Sequence, residues 1–234
     1  MMDRRAASHT IAMVLGVVVA VCLVAPCEAL AEVHVLPNGI TATVHTAGDI
    51  ADNWMTQAKD GTVLVHPSGG RVELTSSGEG LYPFATSEVV AALESMHGLG
   101  APVEVEVFIL PAIPSATLGS FARRGAIYLS PGTGPVDSQT IAYITTHEMG
   151  HVLTWAFVDG QAGRWESYLA LRRLDRSSLD PGNAHAERAR EILAEDIRFL
   201  FGGPQANFSH SIENSRLAPP DRVAAVSYTH LRAH

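Results

Sequence analysis

Five consecutive residues in the second half of the chain, His147-Glu148-Met149-Gly150-His151, constrain its fold more than any other stretch. On an α-helix, His147 and His151 lie on the same face, one turn apart. Two imidazoles at this spacing can share one zinc ion. Glu148 could then reach a water molecule beside the metal and act as a general base. The pattern therefore predicts a helix that carries a metal site and a candidate catalytic carboxylate.

The residues around this motif favour a helix in the protein core. Ser138 can cap its start, and Gly160 lies where the helix could end. Apolar or motif residues recur at helical spacing, at Ile141, Ile144, Glu148, His151 and Trp155. The same motif on a solvated helix would form only surface pairs. In a core, however, buried histidine and glutamate side chains need partners, and a metal ion supplies one.

Composition limits the classes of partner. The chain has 234 residues, of which 47% are hydrophobic, so it can form one domain with a sizeable core, or one domain and a small appendage. Its formal net charge is −8. A negative protein is a poor match for the phosphate backbone, so we expect no nucleic-acid partner.

Residues 1–31 are typical of a secretory signal peptide. Two arginines open this segment, residues 11–25 are apolar, and Ala29-Leu30-Ala31 forms a small-x-small site, so we predict cleavage before Glu32. The apolar run is shorter than the roughly 20 residues that span a bilayer, so no stable membrane span is expected after cleavage. Both cysteines lie in this leader. The mature chain is thus predicted to be secreted or extracytoplasmic and to have no disulfide.

The rest of the chain divides into a short β-rich segment and a larger domain. Residues 32–80 contain a predicted strand at 40–44 and a hairpin of 61–66 with 71–75. The three histidines there, His34, His45 and His66, are expected to be surface or core residues rather than ligands. Residues 226–234 resemble a translated sequencing-adaptor tail, so we treat them as non-native and read no ligand there.

Residues 81–225 form the larger predicted domain. Its expected elements are a helix over 86–96, a strand over 103–110, a loop over 119–124, a strand over 125–130, the motif helix from Ser138, a helix over 164–174 and a helix over 183–201. Tyr143 and Tyr168 are expected to serve mainly in packing. This order predicts an α+β fold, with a small mixed or antiparallel sheet packed on the motif helix.

The last predicted helix offers a third metal ligand. Catalytic zinc sites usually have three protein ligands and a water molecule. Glu187, Glu191 and Glu195 would fall on one face of this helix, where an acidic stripe is destabilising unless a cation lies beside it. Pairing with Arg188 or Arg198 would also relieve the repulsion, and each glutamate could instead lie on a solvated face. Spacing alone does not choose among the three glutamates.

Together, the His-Glu-x-x-His motif and the later Glu191-Ile-Leu-Ala-Glu195 segment resemble the gluzincin metallopeptidases, and more narrowly the anthrax lethal-factor-like catalytic domains. The resemblance covers roughly residues 103–203. It implies a zincin-like fold in which Glu191 is the third zinc ligand and Glu195 orients a ligating histidine. It also implies that the strand Ile127 to Ser130 is an edge strand that binds an extended substrate.

One position departs from that family. Lethal-factor-like sites carry a tyrosine seven residues before the ligand glutamate, where it assists the developing oxyanion, and here that residue is Ala184. His185 and Tyr168 are the candidate substitutes. The resemblance implies a zinc metallopeptidase acting on polypeptides, with Glu148 as base, and the predicted leader implies that it is exported. The alternative is a catalytically inactive binding or surface-associated protein on the same scaffold, which Ala184 favours and Glu148 disfavours.

Overall fold

The computed structural model describes residues 31–57, 63–65, 71–75, 80–99, 102–115, 117 and 119–221. The predicted leader up to residue 30, with both cysteines, lies outside these residues. So do the predicted non-native tail, His66 and the turn of the predicted hairpin. The structure therefore tests neither the leader prediction nor the tail prediction.

The described residues form an α+β structure, which confirms the predicted fold class at this coarse level. The strands are β1 (Glu32–Val35), β2 (Ile40–His45), β3 (Met55–Gln57), β4 (Val63–Val65), β5 (Val72–Leu74), β6 (Val103–Ile109), β7 (Phe121–Arg123) and β8 (Ala126–Leu129). The helices are α1 (Ala47–Asn53), α2 (Thr86–Glu94), α3 (Ser138–Phe157), α4 (Arg164–Arg172) and α5 (Ala189–Phe201). Short 3₁₀ turns occupy Arg176–Leu179, His185–Glu187 and Gln205–Asn207.

A five-stranded mixed sheet with the order β1-β2-β6-β8-β7 is the centre of the fold. The β2–β6 and β6–β8 pairs are parallel, whereas β1–β2 and β7–β8 are antiparallel. The sheet combines β1 and β2 from the predicted segment 32–80 with three strands from 81–225. A separate antiparallel sheet, β3-β4-β5, includes the two strands that were predicted to pair as a hairpin.

The prediction that residues 127–130 form an edge strand is wrong. β8, within the predicted strand 125–130, lies between β6 and β7, and the edge of the sheet is β7. Residues 119–124 were predicted to be a loop, but they contain β7, which turns back onto β8 at Arg124 and Gly125. Gly125 has a φ of 73°, a left-handed value that glycine adopts without strain. A strand of three residues is too short to show an alternating pattern, which is why the sequence did not reveal it.

The main sheet separates two apolar cores because side chains alternate along its strands. On one face, Val103, Val105, Val107 and Ile109 of β6 share a core with the α2, α3 and α5 side chains. On the other face, Phe108 and Tyr128 join a smaller core with residues of α1 and β5. The larger core fixes α3 and α5 on the same side of the sheet, which is what positions the predicted metal ligands.

Several predicted helix limits need correction. Asp137, not Ser138, caps α3, because its side chain accepts a hydrogen bond from the Thr140 backbone N–H at 2.9 Å. α3 ends at Phe157, before Gly160. α5 begins at Ala189 rather than near residue 183, because Arg188 has extended angles (φ −74°, ψ 131°) that no helix continues through.

A buried histidine in the smaller core makes the stability of the fold depend on pH. The His45 ring stacks on Phe108 at 4.7 Å and meets Trp54 edge-on at 4.6 Å, and its Nε2 has no hydrogen-bond partner among the residues that the structure describes. Burial lowers the pKa of His45 below its usual 6.5, although Glu106 and Asp49 act in the opposite direction. Protonation of His45 is therefore easier in the unfolded chain than in the folded one.

We expect the fold to lose stability as the pH falls below about 6.5, because the unfolded chain then binds the proton first. His45→Phe should remove part of this loss, on the order of 1 kcal/mol per unit of pKa difference. The measurement is urea unfolding at about pH 7.5 and about pH 5. His97→Gln, at an exposed histidine, is the control. Equal pH dependence in wild type and His45→Phe would show that His45 does not contribute.

Candidate metal centre

Three buried side chains from two helices converge at one point. His147 and His151 project from α3, with ring centroids 4.9 Å apart, and Glu191 projects from α5. One ligand atom from each of the three residues lies within 4.8 Å of the others. The residues are only 8%, 7% and 9% exposed, in that order. The structure thus brings together the three residues predicted to bind the metal.

The distances between the donor atoms suit coordination of a metal ion better than direct hydrogen bonding. Glu191 Oε2 is buried and lies 2.9 Å from His151 Nε2 and 3.5 Å from His147 Nε2, yet it forms no hydrogen bond of suitable geometry within the described residues. Donor atoms each bound to a tetrahedral zinc at about 2.0–2.1 Å lie roughly 3.3 Å apart. A buried carboxylate without a hydrogen bond is costly unless a cation compensates it. The spacing and the N,N,O donor set therefore suit a zinc ion.

Gly150 allows the two ligand helices to approach this closely. A β-carbon at Gly150 would lie 2.7 Å from the Ala194 carbonyl oxygen and 2.9 Å from Ala194 Cα, both backbone atoms of α5. No side chain fits at those distances. A glycine inside a helix costs about 1 kcal/mol relative to alanine, so close backbone contact is the physical reason for it here. The approach places Glu191 opposite the two histidines.

Glu195 lies behind the candidate metal ligands and holds one of them, His147, in place. Its Oε1 accepts from His147 Nδ1 at 2.8 Å and from Arg198 Nε at 2.9 Å. Its Oε2 accepts from Arg198 Nη2 at 2.9 Å, Tyr143 Oη at 3.0 Å and the Glu213 backbone N–H at 2.8 Å. Because Nδ1 of His147 donates to Glu195, its Nε2 is left to face Glu191. This is the position that the predicted orienting role requires.

The electrostatics of the group favour a positive charge between the ligands. Burial works against ionisation of Glu191, but its contacts with His147 and His151 outweigh burial and hold its pKa far below the usual value. Burial would lower the pKa of His147, but its contacts with Glu191 and Glu195 raise it instead. Burial lowers the pKa of His151, and its contact with Glu191 only partly offsets this. Ionised carboxylates beside imidazoles are a suitable environment for a divalent cation.

Glu148 and the three candidate metal ligands line a cleft of about 790 Å³. The pKa of Glu148 is raised to about 7. Burial, the largest effect, and the charge of Glu191 raise it, and together they outweigh His147, which lowers it. Such a carboxylate exchanges a proton near neutral pH, as a general base must. The structure therefore places the predicted base at the cleft, beside the predicted ligands.

The two candidate oxyanion residues lie in different places. His185 lines the cleft, with its Nε2 3.4 Å from Glu191 Oε2 and its Nδ1 3.3 Å from Glu213 Oε2. Tyr168 is fully buried, and its hydroxyl donates to Asp196 at 3.0 Å, away from the residues that line the cleft. Of the two, only His185 lines the cleft.

The acidic stripe predicted for the last helix contains two glutamates rather than three. Glu187 belongs to the 3₁₀ turn that precedes α5, and it forms an ion pair with Arg216 at 2.6 Å. The predicted relief of the stripe by an arginine is present at the other end, where Arg198 contacts Glu195. Glu187 is therefore not among the converging metal ligands.

Sequence reasoning missed several residues of the cleft, and Tyr143 and Glu213 are the two that contact the predicted site residues. Tyr143 was expected to pack in the core, but it lines the cleft and its ring stacks parallel to His147 at 6.4 Å. Its position one turn before His147 was the available signal. Glu213 also lines the cleft and contacts His185, but it lies in an irregular segment after α5 where no pattern indicates a role.

Comparisons of the chain with protein-family models, with curated proteins and with solved structures found no match. The resemblance to gluzincins therefore stays an interpretation of the two motifs. None of the helices in the described ranges combines the length and apolar character needed to cross a bilayer. What the geometry itself establishes is a buried His-His-Glu group that could hold a metal ion.

Proposed function

We propose that this protein is an exported, zinc-dependent metallopeptidase. The observation that carries the proposal is the convergence of His147, His151 and Glu191 beside Glu148 at an open cleft. A structural zinc site is usually closed by four protein ligands, whereas a catalytic site leaves a position for water or substrate. Three converging ligands with a carboxylate next to them are the composition expected of a hydrolytic site.

Each residue of the group has a separable role in this proposal. Zinc bound by the three ligands would supply Lewis acidity, polarising the substrate carbonyl and making water more acidic. Glu148 accepts the proton of the attacking water and passes it to the leaving amine nitrogen. Glu195 keeps His147 Nε2 turned toward the metal position. His185 would donate to the developing oxyanion, because it lines the cleft and Tyr143 already donates to Glu195.

The substrate in this proposal is an extended polypeptide that pairs with β7. Among the described residues no strand pairs with the outer edge of β7, and Phe121 and Ala122 of this strand line the cleft. A peptide added to an open sheet edge gains main-chain hydrogen bonds, whatever its side chains. In this proposal Phe121–Arg123, rather than residues 127–130, form the edge strand that binds the extended substrate.

One observation favours the non-catalytic alternative. His185 Nε2 lies 3.4 Å from Glu191 Oε2, close enough for His185 to become a fourth metal ligand after a small movement. Four protein ligands would close the site and leave no position for water. The exposure of the His185 side chain, 56%, and the contact of its Nδ1 with Glu213 argue instead for a cleft residue that is not a metal ligand.

The deciding experiment is hydrolysis of a broad peptide library by the zinc-loaded chain that begins at Glu32. We expect cleavage that a chelator abolishes and zinc restores. Glu148→Gln should bind zinc normally but cleave about 10²–10⁴-fold more slowly, because only the proton acceptor is lost. If wild type and Glu148→Gln both bind zinc and neither cleaves any peptide, the inactive alternative is correct.

A further inference from the structure

A second cavity, of about 370 Å³, lies beside β7 and shares Thr117, Phe121 and Ala122 with the metal cleft. Its other walls include Val72 of β5 and Pro114. Its size is within the range of ligand pockets in proteins. Because the two cavities share residues of the open edge strand, a molecule bound along β7 would contact both.

The two faces of β7 point toward different cores. Ala122 is opposite Ile127 of β8 and packs on the larger core, on the α3 side. Phe121 is opposite Tyr128 and packs on the smaller core, on the β5 side. Side chains of a strand alternate between the faces of a sheet. A peptide paired with β7 would therefore direct alternate side chains toward the α3 side, where the metal cleft lies, and toward the β5 side, where Val72 forms a cavity wall.

The wall on the β5 side is a built structure. Arg123 donates to the Arg71 carbonyl oxygen at 3.2 Å, which ties β7 to the start of β5. Its guanidinium lies 5.5 Å from the ring centroid of Phe121 and 5.3 Å from that of Tyr128. Backbone hydrogen bonds from Ser115 N–H to the Glu73 carbonyl at 2.9 Å, and from Thr75 N–H to the Ile113 carbonyl at 2.8 Å, hold β5 against the chain near Pro114.

The chemistry of the lining defines what fits. Phe121, Val72 and Pro114 give apolar walls, and Phe121 offers a ring on which another ring can pack. Arg71 and Glu73 lie 3.9 Å apart and offset each other, while Arg123 covers aromatic rings. The cavity therefore suits an uncharged apolar or aromatic side chain better than a charged one.

We propose that this second cavity is a subsite for a large apolar or aromatic side chain of the extended peptide that pairs with β7. This inference rests on the proposed function, since it takes the occupant to be the peptide substrate. It goes further by assigning selectivity to alternate positions of the substrate. Side chains of the bound peptide that point to the α3 side enter the metal cleft, and the side chains between them enter the second cavity.

The test uses decapeptides of alternating alanine and serine in which one phenylalanine is moved through each position. Affinities for the zinc-loaded Glu148→Gln chain are measured by fluorescence anisotropy, and cleavage is measured with the active chain. We expect phenylalanine at every second position to strengthen binding about ten-fold or more, because it buries its ring. Phe121→Ala should remove this preference. Arg123→Met, which leaves the Phe121 side chain in place but removes the tie to Arg71, should weaken it.

The matched control is Tyr82→Ala, which removes a half-exposed aromatic ring that lines neither cavity. It should keep the wild-type preference. Cleavage without alternation, or a preference unchanged in both β7 variants, would overturn the subsite and leave the peptidase proposal standing. Binding with alternation but no cleavage would support the subsite and contradict the peptidase. Neither binding nor cleavage would overturn both.

Discussion

Replacing Glu191 by alanine is expected to weaken zinc binding by more than about 100-fold, beyond the 10–100-fold typical of residues behind the ligands. The change removes a direct donor and leaves the metal with two histidines. The comparison is made at an equal folded fraction, because the change also removes the contact of Glu191 Oε2 with His151 Nε2 at 2.9 Å from the metal-free chain. Glu195→Ala should reduce zinc affinity less, since all three donors remain. Competition with a chelating dye gives both affinities.

Glu195→Gln is the matched control for this comparison. It keeps one oxygen to accept from His147 Nδ1, but it removes the charge and puts an amide NH2 group where Oε2 accepts from Arg198, Tyr143 and the Glu213 backbone N–H. If Glu195→Ala loses more zinc than Glu191→Ala at an equal folded fraction, Glu195 is the ligand and our assignment is one turn out. If neither change affects zinc, the third ligand lies elsewhere. His185 would then be tested first, since it lines the cleft whereas Glu187 pairs with Arg216.

Arg198→Met is expected to lower the free energy of unfolding by about 3–5 kcal/mol, as loss of one partner of a buried ion pair typically does. Arg198 is fully buried and donates to both oxygens of Glu195. It also donates to the Ala206 carbonyl at 2.7 Å and the Ser211 carbonyl at 2.6 Å. Loss of Arg198 leaves the buried Glu195 carboxylate without its guanidinium partner. It also removes the hydrogen bonds that hold the segment after α5. Urea unfolding of the metal-free chain measures the change.

Arg216→Met is the control, because Arg216 pairs with Glu187 at the surface, where an ion pair contributes under about 1 kcal/mol. If Arg198→Met unfolds at the same urea concentration as wild type, the buried pair contributes nothing net. The role of Arg198 in holding Glu195 would then be unsupported. Zinc affinity of Arg198→Met at low urea separates an effect on the metal ligands from one on global stability.

The sequence predicted α3 well because several independent signals agree there. The spacing of His147 and His151, the apolar positions around them and a polar residue at the start all indicate one helix, and the structure has it over Ser138–Phe157. The predicted N-cap, Ser138, was one residue too late. Asp137 and Ser138 are both good capping residues, and only the backbone angles of the folded chain distinguish them.

The third ligand could be predicted only in part. A helix over 183–201 places three glutamates on one face, and nothing in their spacing separates them. The backbone at Arg188 decides the matter, because the extended residue there removes Glu187 from the helix. Within α5, the close contact that Gly150 permits places Glu191 near both imidazoles and Glu195 near only one. Neither effect is visible before the two helices are packed.

The cleft wall was the least predictable part. β7 is three residues long, so its pairing depends on β8 and on the turn at Gly125 rather than on its own pattern. α1 was also not predicted, although Thr46 and Asp49 form a capping box at its start. Glu213 reaches His185 from a segment without regular structure, where only the folded chain can reveal the contact.

We expect His147, His151 and Glu191 to bind one zinc ion per chain. Diffraction from crystals of the zinc-loaded protein, recorded on both sides of the zinc absorption edge, tests it most directly. We expect one anomalous peak, about 2.0–2.2 Å from the two Nε2 atoms and a Glu191 oxygen, with open space toward Glu148. No peak at this position, or one held by other side chains, would contradict the account.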